Sequence, residues 1–132
     1  GTSGEPQLLV NEISPRVHNA GHHTLESCRT SQFEQHVRAV VDLPLGSPQQ
    51  RAPAVMQNLL YADHLAGLCG VEPGPVTTGA DAVVLHWYGK RDPRPGRKMG
   101  HITCTGLEPD AAKQQISVTL SALTAAPKGA TV

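Results

Sequence analysis

The sequence predicts an α+β chain built in two pieces. A strand, a polar loop and a helix occupy residues 1–46, and a small β-rich unit with a closing helix occupies residues 47–132. Three observations carry this. Short apolar runs of strand length recur at 8–13, 54–60, 82–88 and 99–105. Helical periodicity appears at two places only, after Ser31 and after Pro109. Between the halves lies Gly46-Ser47-Pro48-Gln49-Gln50-Arg51-Ala52-Pro53, whose composition is that of a linker.

Taken in order, Leu8-Leu9-Val10-Asn11-Glu12-Ile13 reads as a strand with a carboxylate near its end. Its pairing partner is expected before residue 1. Pro15 to Thr24 is expected to be irregular, because Pro15 biases Ser14 away from helix and Asn19-Ala20-Gly21 is turn chemistry. Ser31-Gln32-Phe33-Glu34 has capping-box spacing. Phe33, Val37, Val40 and Val41 then share one helical face, and Pro44 is expected to stop the helix. Beyond the linker, 54–60 is a strand and Tyr61–Gly70 a short helix. The strands at 82–88 and 99–105 form a hairpin around a Pro/Gly/Arg tip. Pro109 opens the last helix, with Ala112, Ile116, Leu120 and Leu123 on one face, and the tail from Ala125 is expected to fray.

Composition excludes several classes. In 132 residues, 11 Lys+Arg balance 11 Asp+Glu, which argues against a generically basic nucleic-acid binder and an acidic tail protein. With 39% apolar residues and no apolar run near the roughly 20 residues of a spanning helix, disorder and a membrane-spanning role are disfavoured. The N-terminal residues are neither signal-like nor transit-like. Cys28, Cys69 and Cys104 are odd in number and widely spaced, which fits a reducing cytoplasm and buried small apolar side chains. The four aromatic residues, Phe33, Tyr61, Trp87 and Tyr88, are few for a core of this size.

Three constellations could carry chemistry. In Asn11-Glu12-Ile13-Ser14-Pro15-Arg16-Val17-His18-Asn19, a strand-end carboxylate could hold a hard cation and Arg16 could clamp an anion with paired donors. The same spacing also serves surface ion pairs. His18, His22, His23 and His36 raise the thought of zinc, although Pro15 and Gly21 work against the helical His-x₃-His pair that would favour it. They could equally be loop hydrogen-bonders, with His18 doing acid/base or electrostatic work. Finally, five of the eleven basic residues fall within Lys90–Lys98. This is either a phosphate clamp, with Pro95-Gly96 presenting Arg97 and Lys98 together, or a solvated hairpin tip. A nucleic-acid patch is a third option, weakened by the absence of interleaved stacking aromatics.

Taken together, Leu9–His22, Thr30–Ala39 with Leu43-Pro44-Leu45-Gly46, and Leu85–Lys90 with Arg94–His101 resemble the C-terminal third of the 5-(carboxyamino)imidazole ribonucleotide synthase family of ATP-grasp ligases. The resemblance covers most of residues 8–105 and is weak over 61–80 and after 106. It implies that residues 1–46 end an ATP-grasp domain and that 47–132 form a small C-terminal domain. It further implies ATP-dependent carboxylation of aminoimidazole ribonucleotide by bicarbonate through carboxyphosphate, in purine biosynthesis. Asn11 and Glu12 would lie at the ATP phosphates, with Glu12 on Mg²⁺. Arg16 and His18 would hold bicarbonate and stabilise carboxyphosphate. Asn19 would shape that pocket, and Lys90 and Arg97 would grip the nucleotide 5′-phosphate. Many ATP-grasp proteins place an Asn two residues after the metal-binding Glu, where this chain has Ser14. The family is typically a cytoplasmic homodimer acting on small molecules, without nucleic acid or membrane. Its nucleotide-gripping Lys, glycine-rich lid and second acidic ligand are expected upstream of residue 1, so this chain alone is expected not to turn over. The rival readings are a related formate-dependent glycinamide ribonucleotide formyltransferase, a non-enzymatic phosphate- or nucleic-acid-binding module, and a zinc-stabilised structural domain.

Overall fold

The computed structural model describes residues 9–62, Leu65, Leu68, 74–77 and 83–125. Four antiparallel strands form one sheet: β1 (Ala54–Leu60), β2 (Gly74–Thr77), β3 (Val83–Trp87) and β4 (Lys98–Thr105), in the spatial order β1-β4-β3-β2. The β3–β4 hairpin pairs Val83 with Cys104 and Trp87 with Gly100, so the expected long tip lies between them. β1 pairs along the other side of β4, Ala54 opposite Thr105 and Asn58 opposite His101.

β4 is therefore central, and residues from Met99 to Cys104 are buried without the usual alternation. Uninterrupted burial means that both faces of the strand are covered. Helix α3 (Pro109–Ala125) packs on β4 and β1. Its buried Ala112 and Ile116, with Leu120 and Leu123 packed beside them, join Val83, Leu85, Ile102 and Cys104 in the core. The expected helical face is thus the one used. The opposite face of β3 and β4 carries His86 and His101, directly opposite each other in register. Gly100 lets the strands close there, since a Cβ would stand 2.5 Å from the His86 carbonyl oxygen.

The N-terminal part covers that polar face. A 3₁₀ turn at Asn19–His23 runs into the short helix α1 (Thr24–Ser27), and α2 spans Gln32–Val40. Ser31 caps α2 by accepting the Glu34 amide at 3.2 Å. The Glu34 carboxylate turns to Arg38, 2.8 Å away, and so does not close the reciprocal half of the capping box.

Several expectations need correction. Residues 9–13 form no strand, and Leu9, Val10 and Ile13 are exposed, because no described strand lies alongside them. Pro15–Thr24 is not wholly irregular. Its second half winds into the 3₁₀ turn because the Gln32 side chain occupies the space a Cβ at Gly21 would need. Val37, Val40 and Val41 face outward, and of the expected face only Phe33 turns inward. α2 ends before Pro44. Asp42 takes a left-handed φ of 57°, and the Leu43 amide reaches back to the Arg38 carbonyl at 2.8 Å, a Schellman-type stop. The linker stretch is laid against α1's exit, with Arg29 N–H bonded to the Gln49 carbonyl and Arg51 N–H to that of Ser27. Strand β2 was not expected. Most of the expected Tyr61–Gly70 helix, Cys69 and the tail beyond Ala125 lie outside the described residues.

Candidate functional site

The turn that carries His18 is set by a side chain that sequence reasoning passed over. Gln32, the first residue of α2, grips the His18 backbone at both ends. Its Oε1 accepts the His18 amide at 2.9 Å and its Nε2 donates to the His18 carbonyl at 2.6 Å. Thr24 Oγ1 donates to the Gly21 carbonyl and accepts the Gln32 amide. The turn bearing His18 and Asn19 is thereby tied to the start of a helix. The only sequence sign of this was Gln at a helix start, a residue with both a donor and an acceptor to spare.

His18 Nε2 lies 3.2 Å from Glu12 Oε1, with both side chains well exposed. Arg16 is exposed and donates only to the neighbouring Val17 carbonyl among described residues, which leaves most of its fork free. Asn11 is exposed and Asn19 half-buried. Glu12 suits Mg²⁺ in kind. It is an accessible hard-oxygen donor with no Lys or Arg paired to it among the described residues, and Mg²⁺ takes its remaining ligands from phosphate and water.

The cationic half is the β3–β4 tip. Lys90 Nζ donates to the Lys98 carbonyl at 2.5 Å and stands 5.2 Å from the centroid of the Tyr88 ring. Burial, with Arg97 and Lys98 nearby, lowers the Lys90 pKa. Arg97 pairs with Asp92, its Nη1 3.2 Å from Oδ2. Its backbone is held by a turn at Gly96, φ 76°, and by the Tyr61 amide donating to its carbonyl.

The four histidines grouped by sequence do not converge. His23 shares a 2.7 Å hydrogen bond with buried Ser27, and His36 is exposed on α2. His22 turns onto the sheet, stacked between Phe33 (5.4 Å between centroids) and His101 (4.7 Å). His101 in turn stacks on His86 at 4.5 Å, and the His86 imidazole donates to Glu26 at 2.6 Å. Glu26, His86, His101 and Tyr88 are the residues missed, because strand register and the packing of α1 on the sheet bring them together. Burial, reinforced by His86 and His22, holds the His101 pKa down at about 4, and burial also lowers that of His22.

Glu26, His86 and His101 offer three ligand atoms within 4.8 Å of one another. Their geometry does not suit a transition metal. An ion lies in the plane of each imidazole that binds it, whereas these rings are stacked only 16° from parallel. The 2.6 Å contact is also shorter than the spacing of ligand atoms around a metal with bonds of about 2.0–2.2 Å. The zinc reading finds no support in this set.

Comparison with known proteins places the fold and motifs together. Residues 54–115 match the phosphoribosylaminoimidazole carboxylase C-terminal domain family, and residues 3–33 match the ATP-grasp domain family. The chain belongs to the ATP-grasp carboxyaminoimidazole ribonucleotide synthase family and corresponds to its C-terminal portion. It is 50% identical over 99 residues to the N5-carboxyaminoimidazole ribonucleotide synthase of Synechococcus elongatus, covering 74% of this chain and 25% of the relative. It is 44% identical over 120 residues to the chloroplastic phosphoribosylaminoimidazole carboxylase of Vigna aconitifolia, covering 88% and 21%. The Aspergillus clavatus N5-carboxyaminoimidazole synthase, solved in complex with ADP and 5-aminoimidazole ribonucleotide, superposes with a TM-score of 0.62 at 34% identity, over 82% of this chain and 29% of that one. The chain thus spans about a quarter of the length of its curated relatives. Among the described residues, no helix is long and apolar enough to cross a membrane.

Proposed function

We propose that this chain serves as the C-terminal portion of an ATP-grasp ligase that carboxylates 5-aminoimidazole ribonucleotide with bicarbonate. The observation that carries this is the junction. The turn that follows Arg16 and His18 packs on the same sheet face from which the Lys90–Arg97 tip emerges, with the His22 and Tyr88 rings 6.0 Å apart. Two anion-binding groups thus adjoin, one for bicarbonate and one for a phosphate ester.

In this reading, phosphoryl transfer from ATP to bicarbonate gives ADP and carboxyphosphate. The exocyclic amine then attacks the carboxyl carbon, the N–C bond forms as the C–O bond to phosphate breaks, and phosphate leaves. Such chemistry rests on positioning and charge neutralisation. Arg16 and His18 stabilise the anionic carboxyphosphate, and Asn19 borders it. Asn11 and Glu12 face the ATP phosphates, and Glu12 would hold the Mg²⁺ that neutralises them. Lys90 and Arg97 fix the 5′-phosphate, Arg97 exchanging Asp92 for substrate.

The boundary between the two pieces falls at residues 46/47, and the functional unit is a homodimer. Free Cys28 and Cys104 suit a reducing cytoplasm, though the Vigna relative is chloroplastic. The test is ADP formation by the full-length enzyme carrying this segment. It should require both bicarbonate and aminoimidazole ribonucleotide, fall at least about 100-fold in Arg16→Ala, and be absent from the 132-residue chain alone. ADP formation that needs formate in place of bicarbonate would sink the reading.

A further inference from the structure

We propose that Tyr88 and His101 are positioning residues for the substrate-phosphate clamp, and that His22 ties them to the bicarbonate-side turn. One stack of rings then sets the spacing of the two half-sites. This inference rests on the function proposed above.

The stack runs Phe33, His22, His101, His86 without interruption, at centroid separations of 5.4, 4.7 and 4.5 Å and with rings within 21° of parallel. It starts on α2, crosses the 3₁₀ turn and ends on β3. Glu26 closes the far end through His86. His101 is 1% exposed, and its Nδ1 shares a 2.8 Å hydrogen bond with the Tyr88 hydroxyl. That bond fixes the Tyr88 ring at the point where β3 leaves the sheet for the tip. Lys90 rests against the same ring at 5.2 Å, within cation–π range. On the other side, His22 is four residues from His18, whose backbone Gln32 holds. Planar side chains with two rotatable bonds keep such a spacing at small entropic cost.

His101 is also suited to stay neutral. His22 and His86 face it with potentially positive charge, and Glu26 is engaged by His86. Its Nε2 is buried and has no partner among the described residues. A neutral ring stacks without repelling its neighbours, so the stack holds its spacing through the physiological pH range. Neither Tyr88 nor His101 needs to touch substrate for this role.

The test separates positioning from folding. In the full-length enzyme, Tyr88→Phe keeps the ring and removes the hydroxyl. It should raise KM for aminoimidazole ribonucleotide about tenfold, with kcat and the KM for bicarbonate changing less than about twofold. His101→Ala should do the same, and His101→Asn, which keeps a polar group near the Nδ1 position, should restore most of the affinity. An unchanged KM in Tyr88→Phe overturns the proposal, as does a fall in kcat with unchanged KM that His101→Asn fails to rescue. Affinity for ribose 5-phosphate, measured by calorimetry on the same proteins, should weaken by the same factor. If the wild-type enzyme does not carboxylate at all, the functional reading falls, while the ribose 5-phosphate comparison still decides the role of Tyr88 and His101.

Discussion

The two halves of the molecule are held by different forces. From β1 to α3, burial dominates. Val83, Met99, Ile102, Cys104, Ala112 and Ile116 have no accessible surface, and all the apolar residues of the core cluster lie between Leu59 and Ile116. Across residues 9–46, the buried described residues are Ser27 and Thr30, both polar, while Leu9, Val10, Ile13, Val37 and Val40 are 57–88% exposed. That segment is held by hydrogen bonds, two carboxylate–imidazole pairs and stacked rings. The sheet unit therefore carries the hydrophobic stability, and the N-terminal segment borrows its position from contacts whose strength depends on protonation and geometry.

The largest expected effect breaks the sheet side. Ile116→Ala leaves a cavity under β4 and should cost about 3–4 kcal/mol. Urea unfolding should show the loss at pH 7 and pH 6 alike, since that cluster holds no histidine or carboxylate.

The next effect is confined to the junction and depends on pH. His101 is neutral when folded, with a pKa near 4, and takes up a proton readily only when unfolded, at its ordinary value of 6.5. Its stabilising contribution is complete above pH 6.5 and is lost as pH falls through 6.5 toward 4, amounting to about 3 kcal/mol at the low end. The urea midpoint should decline over that window. His101→Asn should flatten the decline, and an equally steep decline in that variant would move the cause to another group.

The smallest effect sharpens the contrast. Val40→Ser on the exposed face of α2 should change the stability of this chain by less than about 0.5 kcal/mol. A larger loss in the full-length enzyme would show that the face is covered there.

How much of this was legible in the sequence follows from the range of the interactions. β1, β3, β4 and α3 could be read because short apolar runs and helical periodicity are local, and the hairpin needed only its turn residues. β2 escaped, since Gly74-Pro75-Val76-Thr77 offers one apolar residue with β propensity between turn formers. Leu9–Ile13 has strand composition, yet a strand exists only through its neighbour. Glu12, Arg16, His18, Lys90 and Arg97 could be singled out by chemistry and given roles only by family resemblance. The histidine stack was invisible because His22, His86 and His101 meet through register and packing, with nothing in their spacing to announce it.

β1 bears on how the isolated chain behaves in solution. It lies at one end of the sheet among the described strands, and its seven residues, Ala-Val-Met-Gln-Asn-Leu-Leu, include no charge, proline or glycine. Edge strands in soluble proteins are ordinarily guarded against pairing with another chain by such residues. With a net charge of zero, the chain also lacks the long-range repulsion that keeps copies apart. The colloidal weak point of the isolated chain is therefore the open rim of its sheet, and a single lysine placed at outward-facing Gln57 is the economical way to close it.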